Sequence, residues 1–167
     1  GHCTGGDYDL GGPFAPGVNN TTGEGAQDPG NVLIIHEHNH ECNGVTCYDP
    51  DDEGSRPAGR IFIDFTESVF LESLDFFDIE SSESINSQIV LYDSNNNILN
   101  SNPTYTPYTG NNKWDRVTFN VADVSRLEVR LGGSGAIDNI RGSLQGTVPA
   151  PAPLMLMLVG LAAMLWH

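Results

Sequence analysis

Short runs in which apolar and polar residues alternate are the feature that most constrains how this chain can fold. The run RIFIDF, residues 60–65, puts Ile61, Ile63 and Phe65 on one side of an extended backbone, because successive side chains of a strand point to opposite faces. The run SRLEVRLGG, residues 125–133, repeats the pattern, with charged residues on the second side. Alternation over this length is typical of a strand with one buried face. The sequence therefore predicts β-structure.

Further strands are predicted at regular spacing, with turns between them that are rich in Gly, Asn, Asp, Ser and Pro. The run VFLESLDFFDIE, residues 69–80, has mixed periodicity and predicts a strand with a bulge. The run QIVLYD is followed by a turn at residues 94–97 and then by ILNS, which predicts a hairpin. Other strands are predicted at residues 31–35, 113–122 and 135–144. Seven or eight short strands predict an all-β fold, an antiparallel β-sandwich.

Three parts are predicted along the 167 residues. Residues 1–30 form an irregular N-terminal segment that packs on the sandwich, residues 31–146 form the β-sandwich domain, and residues 147–167 form a proline-rich spacer with an apolar tail. The length suits one domain. Neither an initiator Met nor a signal peptide stands at Gly1, so the chain is expected to begin after a cleavage or at an artificial boundary.

Acidic residues dominate the charge of the chain. Asp and Glu number 22 against 7 Lys and Arg, which gives a formal net charge of -15. A phosphate backbone or an anionic lipid surface would be repelled, so nucleic acid is not an expected partner. Many carboxylates on one domain favour divalent cations, or they keep the protein soluble.

One acidic cluster is DPDDEG, residues 49–54, in which Asp49, Asp51 and Asp52 crowd together. Two interpretations stay open, a calcium site and a solvated acidic turn. The spacing does not match an EF-hand loop.

Two of the three cysteines lie close together. Cys42 and Cys47 are separated by a segment in which Asn43 and Gly44 supply a turn. A disulfide between them is predicted, and it implies an oxidising compartment. Cys3 is left over and is expected to be free or to pair outside the domain.

The histidines before this loop lie two residues apart. In an extended chain His36, His38 and His40 share one face, and imidazoles in that arrangement can hold a transition-metal ion. Adding the Cys42 thiolate would conflict with the disulfide. The alternative, which we favour, is a polar strand end and loop in which the histidines bind nothing.

Catalytic motifs are missing from the sequence, and no enzyme is expected. There is no Gly-x-Ser-x-Gly elbow, no His-Glu-x-x-His and no phosphate-binding loop. Sugar binding needs exposed aromatic side chains, and the candidates are Tyr105, Tyr108 and Trp114. Tyr105 and Tyr108 lie in NPTYTPYTG, a loop-like sequence. Trp114 opens a strand, and a core position is the favoured alternative for it.

The C-terminal sequence VPAPAPLMLMLVGLAAMLWH resembles the PEP-CTERM sorting signal of Gram-negative bacteria. Val148, Pro149 and Pro151 match its Val-Pro-Glu-Pro core, and Leu154–Trp166 match its apolar stretch. Ala150 replaces the usual Glu, and no Arg cluster precedes the end at His167. The resemblance implies export, a transient anchor in the inner membrane through the tail, and processing by an exosortase-type enzyme.

The body of the chain resembles galactose-binding-like and carbohydrate-binding jelly rolls, whose last strand often has an aliphatic-Asp-Asn-aliphatic sequence. Residues 137–140, IDNI, match that ending. The resemblance implies a jelly-roll topology and a structural Ca²⁺ that joins the N-terminal segment to the last strand, with Asp7, Asp9 and Asp138 as candidate ligands.

Taken together, the sequence predicts an exported protein of the cell surface or extracellular matrix with a structural or adhesive role, stabilised by calcium. Expected partners are an exopolysaccharide or like subunits. The alternatives are a carbohydrate-binding module and a self-assembling subunit of an extracellular filament.

Overall fold

The computed structural model describes residues 9–36, 56–81 and 87–145. Strands dominate these residues, so the all-β prediction is confirmed. After a 3-10 turn at Asp9–Gly11, the strands are β1 Ala15–Pro16, β2 Leu33–Ile34, β3 Gly59–Phe77, β4 Gln88–Tyr92, β5 Lys113–Leu131 and β6 Ala136–Leu144. The apolar tail with its Val148, Pro149 and Pro151 core lies outside the described residues.

The six strands form one sheet in the order β1-β5-β3-β6-β2, and β4 pairs with β5 in addition. The pairing of β1 with β5 is parallel, and the other pairings are antiparallel. The prediction of a wholly antiparallel sheet was therefore wrong at β1. Seven or eight short strands were also expected, whereas β3 and β5 are each 19 residues long. Each of these two strands combines two runs that the sequence presented as separate.

The ladder between β3 and β5 is irregular near its centre, as the mixed periodicity of residues 69–80 predicted. Residues 69–73 of β3 face residues 118–124 of β5, so β5 has two more residues than a regular ladder would use. Asn120 and Asp123 lie in this stretch with φ of 53° and 62°. Asn139 has φ of 53° where β6 has an extra residue opposite β3. Asn and Asp tolerate this left-handed backbone better than other side chains, which suits them to bulges.

A second interruption, at residues 65–68 of β3, divides the sheet into two halves. We call β4 with residues 126–131 of β5 and 59–64 of β3 the three-stranded half. The other strands with the remaining residues of β3 and β5 are the five-stranded half. Both halves contribute to one core cluster. Its largest fully buried members include Leu71, Leu74 and Phe76 from the five-stranded half and Ile89, Leu91, Leu127 and Leu131 from the three-stranded half.

A second, smaller core lies on the opposite face of the five-stranded half. Phe14 of the N-terminal segment packs against Phe77, with ring centroids 4.8 Å apart and planes tilted by 59°. Trp114 and Ala136 complete this cluster, and all four residues are at most 1% exposed. The N-terminal segment therefore covers one face of the sheet by burying aromatic surface.

Gly142 of β6 offers a test of how closely β3 and β6 are packed. A Cβ at this position would lie 2.6 Å from the carbonyl oxygen of Phe70. We expect Gly142→Ala to lower the free energy of unfolding by about 1–3 kcal/mol, because the two backbones must move apart. Urea denaturation measures the change. Gly25→Ala is the control, since a Cβ there meets nothing within 4 Å. Equal stability of the two variants would contradict the packing described here.

Candidate functional site

The loop before β5 presents two exposed aromatic side chains. Tyr105 is 57% exposed and Tyr108 is 43% exposed. The threonines that follow them, Thr106 and Thr109, are 3% and 0% exposed. The loop thus alternates between tyrosines that face outward and threonines that face inward. We call residues 104–110 the tyrosine loop.

The buried threonines fix the tyrosine loop to the rest of the fold. The Thr109 hydroxyl accepts a hydrogen bond from the backbone N–H of Ile79 (2.7 Å), and the Thr109 N–H donates to the Ile79 carbonyl (3.0 Å). The Thr106 hydroxyl bonds to that of Ser87. At the start of the loop, the Thr104 carbonyl accepts from Ile89 N–H of β4 (2.7 Å).

The same loop is held from the N-terminal segment. The side-chain amide of Asn19 donates to the carbonyl of Tyr108 (3.3 Å). Backbone bonds on both sides of each tyrosine leave the rings as the parts of the loop that face solvent. A backbone held by these bonds has less conformational entropy to lose than a free loop would if the rings met a ligand.

Trp114, the third aromatic candidate, is not part of this surface. It is 0% exposed, and its indole N–H donates to the carbonyl of Gly25 (3.1 Å). The prediction that Trp114 contacts a ligand was therefore wrong, and its favoured alternative, a core position, is what the structure has. Buried indoles ordinarily find such a polar partner.

Next to Trp114 lies an ion-pair network that the sequence analysis did not anticipate. Arg116 binds Asp75 through two bonds, Nε to Oδ1 at 2.6 Å and Nη2 to Oδ2 at 3.0 Å. It also binds both carboxylate oxygens of Glu24, and its guanidinium lies 5.3 Å from the Trp114 ring centre. Hydrogen bonding to Arg116 lowers the pKa of Glu24. Bidentate pairing satisfies the carboxylate of Asp75, which is fully buried.

Of the predicted calcium ligands, the structure describes the side chain of Asp138. It lies on β6 directly opposite Asp75 of β3. The Asp75 carboxylate is already bound by Arg116, and Arg141 approaches it to 3.8 Å. Asp7 lies outside the described residues, as does the side chain of Asp9. The trio Asp7, Asp9 and Asp138 therefore stays a prediction.

The other predicted metal and disulfide residues fall mostly in the part of the chain that is not described. His36 is half-buried at the end of the first described range. The residues outside it are His38, His40, Cys42, Cys47, Asp49, Asp51 and Asp52. Within residues 9–36, 56–81 and 87–145, no group of three His, Cys, Asp or Glu residues is arranged to hold a metal ion.

Asp115 is the exception to the pairing of buried charges. Its side chain is 1% exposed, and within the described residues neither carboxylate oxygen is the acceptor of a well-aligned hydrogen bond. It lies against Gly17, where any Cβ would clash with the carboxylate. Burial raises the pKa of Asp115 to about 6, against smaller opposing effects of the Asn19 backbone and the Lys113 charge. Loss of hydration penalises the charged form.

Comparison with known proteins gives no match to any family model, curated protein or solved structure. Within the described ranges, none of the helical segments has the length and apolar character that crossing a membrane requires.

The two acids that Arg116 binds, Asp75 and Glu24, should differ in how much their ion pairs contribute to stability. Arg116→Met removes both hydrogen bonds to the buried Asp75 carboxylate and leaves only Arg141, at 3.8 Å, nearby among the described residues, so we expect a loss of about 3–5 kcal/mol in the free energy of unfolding. Glu24 is 39% exposed, so solvent screens its ion pair and Glu24→Gln should cost much less than Arg116→Met. Urea denaturation compares the two variants. Equal losses would show that the network does not depend on the buried pair.

The raised pKa of Asp115 should make the stability of the fold depend on pH. Its pKa is about 6 in the fold against an ordinary value of 3.8, so the folded state binds this proton more tightly than the unfolded chain. Stability from this group is fully present below the ordinary value and is lost as pH rises toward the raised one. We therefore expect the Tm of Asp115→Asn, relative to the parent, to increase between about pH 4 and about pH 6 and then level off.

Thermal melts across this interval measure the difference, and Asp28→Asn is the control at an exposed aspartate. A constant difference between Asp115→Asn and the parent would contradict the assignment of the raised pKa to Asp115.

Proposed function

We propose that this chain is an exported, non-catalytic protein of the cell surface or extracellular matrix, with a structural or adhesive role. The observation that carries the adhesive part is the tyrosine loop. Tyr105 and Tyr108 are exposed at 57% and 43%, while Thr106 and Thr109 fix the backbone between and after them. Exposed aromatic rings on a fixed loop suit contact with sugar rings or with another protein surface.

The state of the carboxylates supports a non-catalytic role. Asp75 and Glu128 are buried and bound by arginines, and the exposed Asp64 is bound by Arg126. The pKa of Glu128 is lowered by its hydrogen bond to Arg130, and that of Asp64 by its hydrogen bond to Arg126. A general acid needs a raised pKa and access to substrate. Asp115 has the first property, but its side chain is 1% exposed.

The proposed fold is a two-layer sandwich of the jelly-roll type, in which the two halves of the sheet lie face to face. Support comes from the core cluster, to which both halves contribute, and from the bulges between them. Bulges bend strands and increase their twist, which would allow β3 and β5 to pass from one layer into the other.

Export rests on the sequence. The resemblance of residues 148–166 to a PEP-CTERM signal and the proposed Cys42–Cys47 disulfide both point to an oxidising compartment outside the cytoplasm. On this proposal an exosortase-type enzyme processes the tail after a transient stay in the inner membrane. A structural calcium ion that holds the N-terminal segment to β6 belongs to the same proposal.

A carbohydrate-binding module is the second candidate function, and the tyrosine loop favours it as well. The two candidates differ in whether the loop binds a defined soluble oligosaccharide or adheres to an insoluble matrix. Calorimetric titration with soluble oligosaccharides separates them, since saturable binding at one site per chain would favour the module.

The adhesive proposal is tested by co-sedimentation of the protein with insoluble cellulose, chitin and xylan. We expect retention on at least one polymer, and a loss of about tenfold or more in affinity for the double variant Tyr105→Ala, Tyr108→Ala, because the aromatic surfaces that stack on sugar rings are lost. The double variant Tyr105→Phe, Tyr108→Phe keeps both rings and should bind nearly as well as the parent. Retention on none of the polymers, or full retention after both rings are removed, would contradict the proposal.

A further inference from the structure

The outer face of the three-stranded half gathers a set of charged and aromatic side chains from three strands. In the register of β3 with β5, Asp64 lies opposite Arg126, Phe62 opposite Glu128 and Arg60 opposite Arg130. On the other side of β5, the β4 residues Gln88, Val90 and Tyr92 lie opposite Arg130, Glu128 and Arg126. Paired residues of neighbouring strands share a face. We call this surface the arginine face; it comprises Arg60, Phe62, Asp64, Gln88, Val90, Tyr92, Arg126, Glu128 and Arg130.

The arginine face differs in charge from the rest of the protein. It holds three of the seven Lys and Arg residues of the chain. Its three arginines against two carboxylates give a charge of +1, and the total of -15 therefore leaves -16 for the remaining residues. An anionic partner would be repelled by most of this protein and attracted at this face.

A buried glutamate positions the arginines. Glu128 is 2% exposed and accepts hydrogen bonds from Arg130, from Nε at 2.8 Å and Nη2 at 3.0 Å. The Tyr92 hydroxyl donates to the same carboxylate at 2.6 Å, and Arg60 lies 3.2 Å from it. These contacts hold the guanidinium groups in place while the side chains of Arg60 and Arg130 stay 58% and 33% exposed.

Phe62 adds an apolar surface beside the charges. Its ring is 52% exposed, and the Arg126 guanidinium lies 5.8 Å from the ring centre. The Arg126 side chain is 40% exposed and also binds Asp64. A ring next to a fixed cation can stack on the apolar face of a sugar while the cation binds a carboxylate on it.

Two clefts with hydroxyl and amide groups in their walls flank the arginine face. A cleft of about 340 Å³ beside Arg126 is lined by Ser68, Ser94, Asn96 and Ser125, and also by the acidic residues Asp64 and Glu67. A smaller cleft of about 170 Å³ beside Arg130 includes Gln88, Asn100 and Ser101. Hydroxyl and amide groups can both donate and accept, which matches the hydroxyls of a sugar. A surface that binds an acidic peptide would instead need basic side chains along the whole length of the bound peptide.

We infer that the arginine face binds a carboxylate-bearing polysaccharide, a polymer of uronic-acid type, with Arg126 and Arg60 on its carboxylates and Phe62 against a sugar ring. This inference deepens the proposed adhesive function, on which it rests, by naming the partner class at a surface separate from the tyrosine loop. Because the contact is between exposed charges, its affinity falls as salt rises.

Binding of the full chain to polygalacturonate, measured by biolayer interferometry at low and high salt, tests the inference. We expect Arg126→Gln to weaken binding about tenfold, in line with the loss of a charge-assisted bond. Arg141→Gln is the matched control: its side chain is also 40% exposed, it removes the same charge, and it lies on β6. We expect it to change affinity less than about twofold. Equal effects of the two variants would overturn the inference.

Further probes decide the class of partner. Dextran, a neutral polysaccharide, should not bind the arginine face, and polyglutamate should bind more weakly than polygalacturonate. Equal binding of polyglutamate would assign the face to acidic proteins and overturn the glycan assignment, as would absence of polygalacturonate binding. The double variant Tyr105→Ala, Tyr108→Ala should keep its polygalacturonate affinity. If the protein does not bind polygalacturonate but is retained normally on cellulose, chitin or xylan, this inference is rejected and the proposed function stands.

Discussion

The pairing of β3 with β5 is the constraint on which the rest of this structure depends. Both strands run for 19 residues, and every other described strand except β2 pairs directly with one of them. Side chains from both halves enter one core, and the ladder between β3 and β5 is irregular where the two halves meet. Asn120 and Asp123 take positive φ in the irregular part of the ladder, and Asn and Asp tolerate this left-handed backbone better than other side chains do.

Arginine is the second organising element of an otherwise acidic chain. Asp75 and Glu128 are both buried on the outer faces of the two halves, and each is bound through two nitrogens of one arginine, Arg116 or Arg130. The planar guanidinium supplies parallel donors that lysine cannot. The chain has a single lysine, which agrees with this use of its positive charge. Asp115 shows the alternative, because a buried carboxylate without such a partner has its pKa raised to about 6.

Much of the fold could be predicted from the sequence, but the lengths of β3 and β5 and the pairing of the strands could not. Alternation correctly put Ile61, Ile63 and Phe65 of β3 and the apolar residues 127, 129 and 131 of β5 on the core side, because all of them pack in the core cluster. The same rule divided β3 and β5 in two, since a bulge interrupts alternation in the way a strand end does. Tyr105 and Tyr108 were recognised from loop composition, whereas the arginine face depends on strand register, which a sequence does not contain. The burial of Asp115 could have been predicted. Asp115 lies two residues before Val117 along β5, so the two side chains point to the same, inward face.

The tyrosine loop and the arginine face are joined through β4, and this connection explains how a long loop stays ordered. β4 pairs with β5 on one side, so its other edge would present open backbone groups. The segment from Ile98 to Thr104 covers that edge: Leu99 N–H donates to Leu91, and the Asn100 side chain accepts from Leu91 N–H and donates to the Ile89 carbonyl. The loop that closes the sheet edge continues directly into Tyr105, so the backbone bonds that protect β4 also hold the rings outward.

On its outer face the same five-residue strand, β4, supplies Gln88 and Tyr92 to the arginine face. A substitution that loosens β4 should therefore disturb both surfaces together, whereas changes to the exposed rings or to Arg126 should affect one surface at a time.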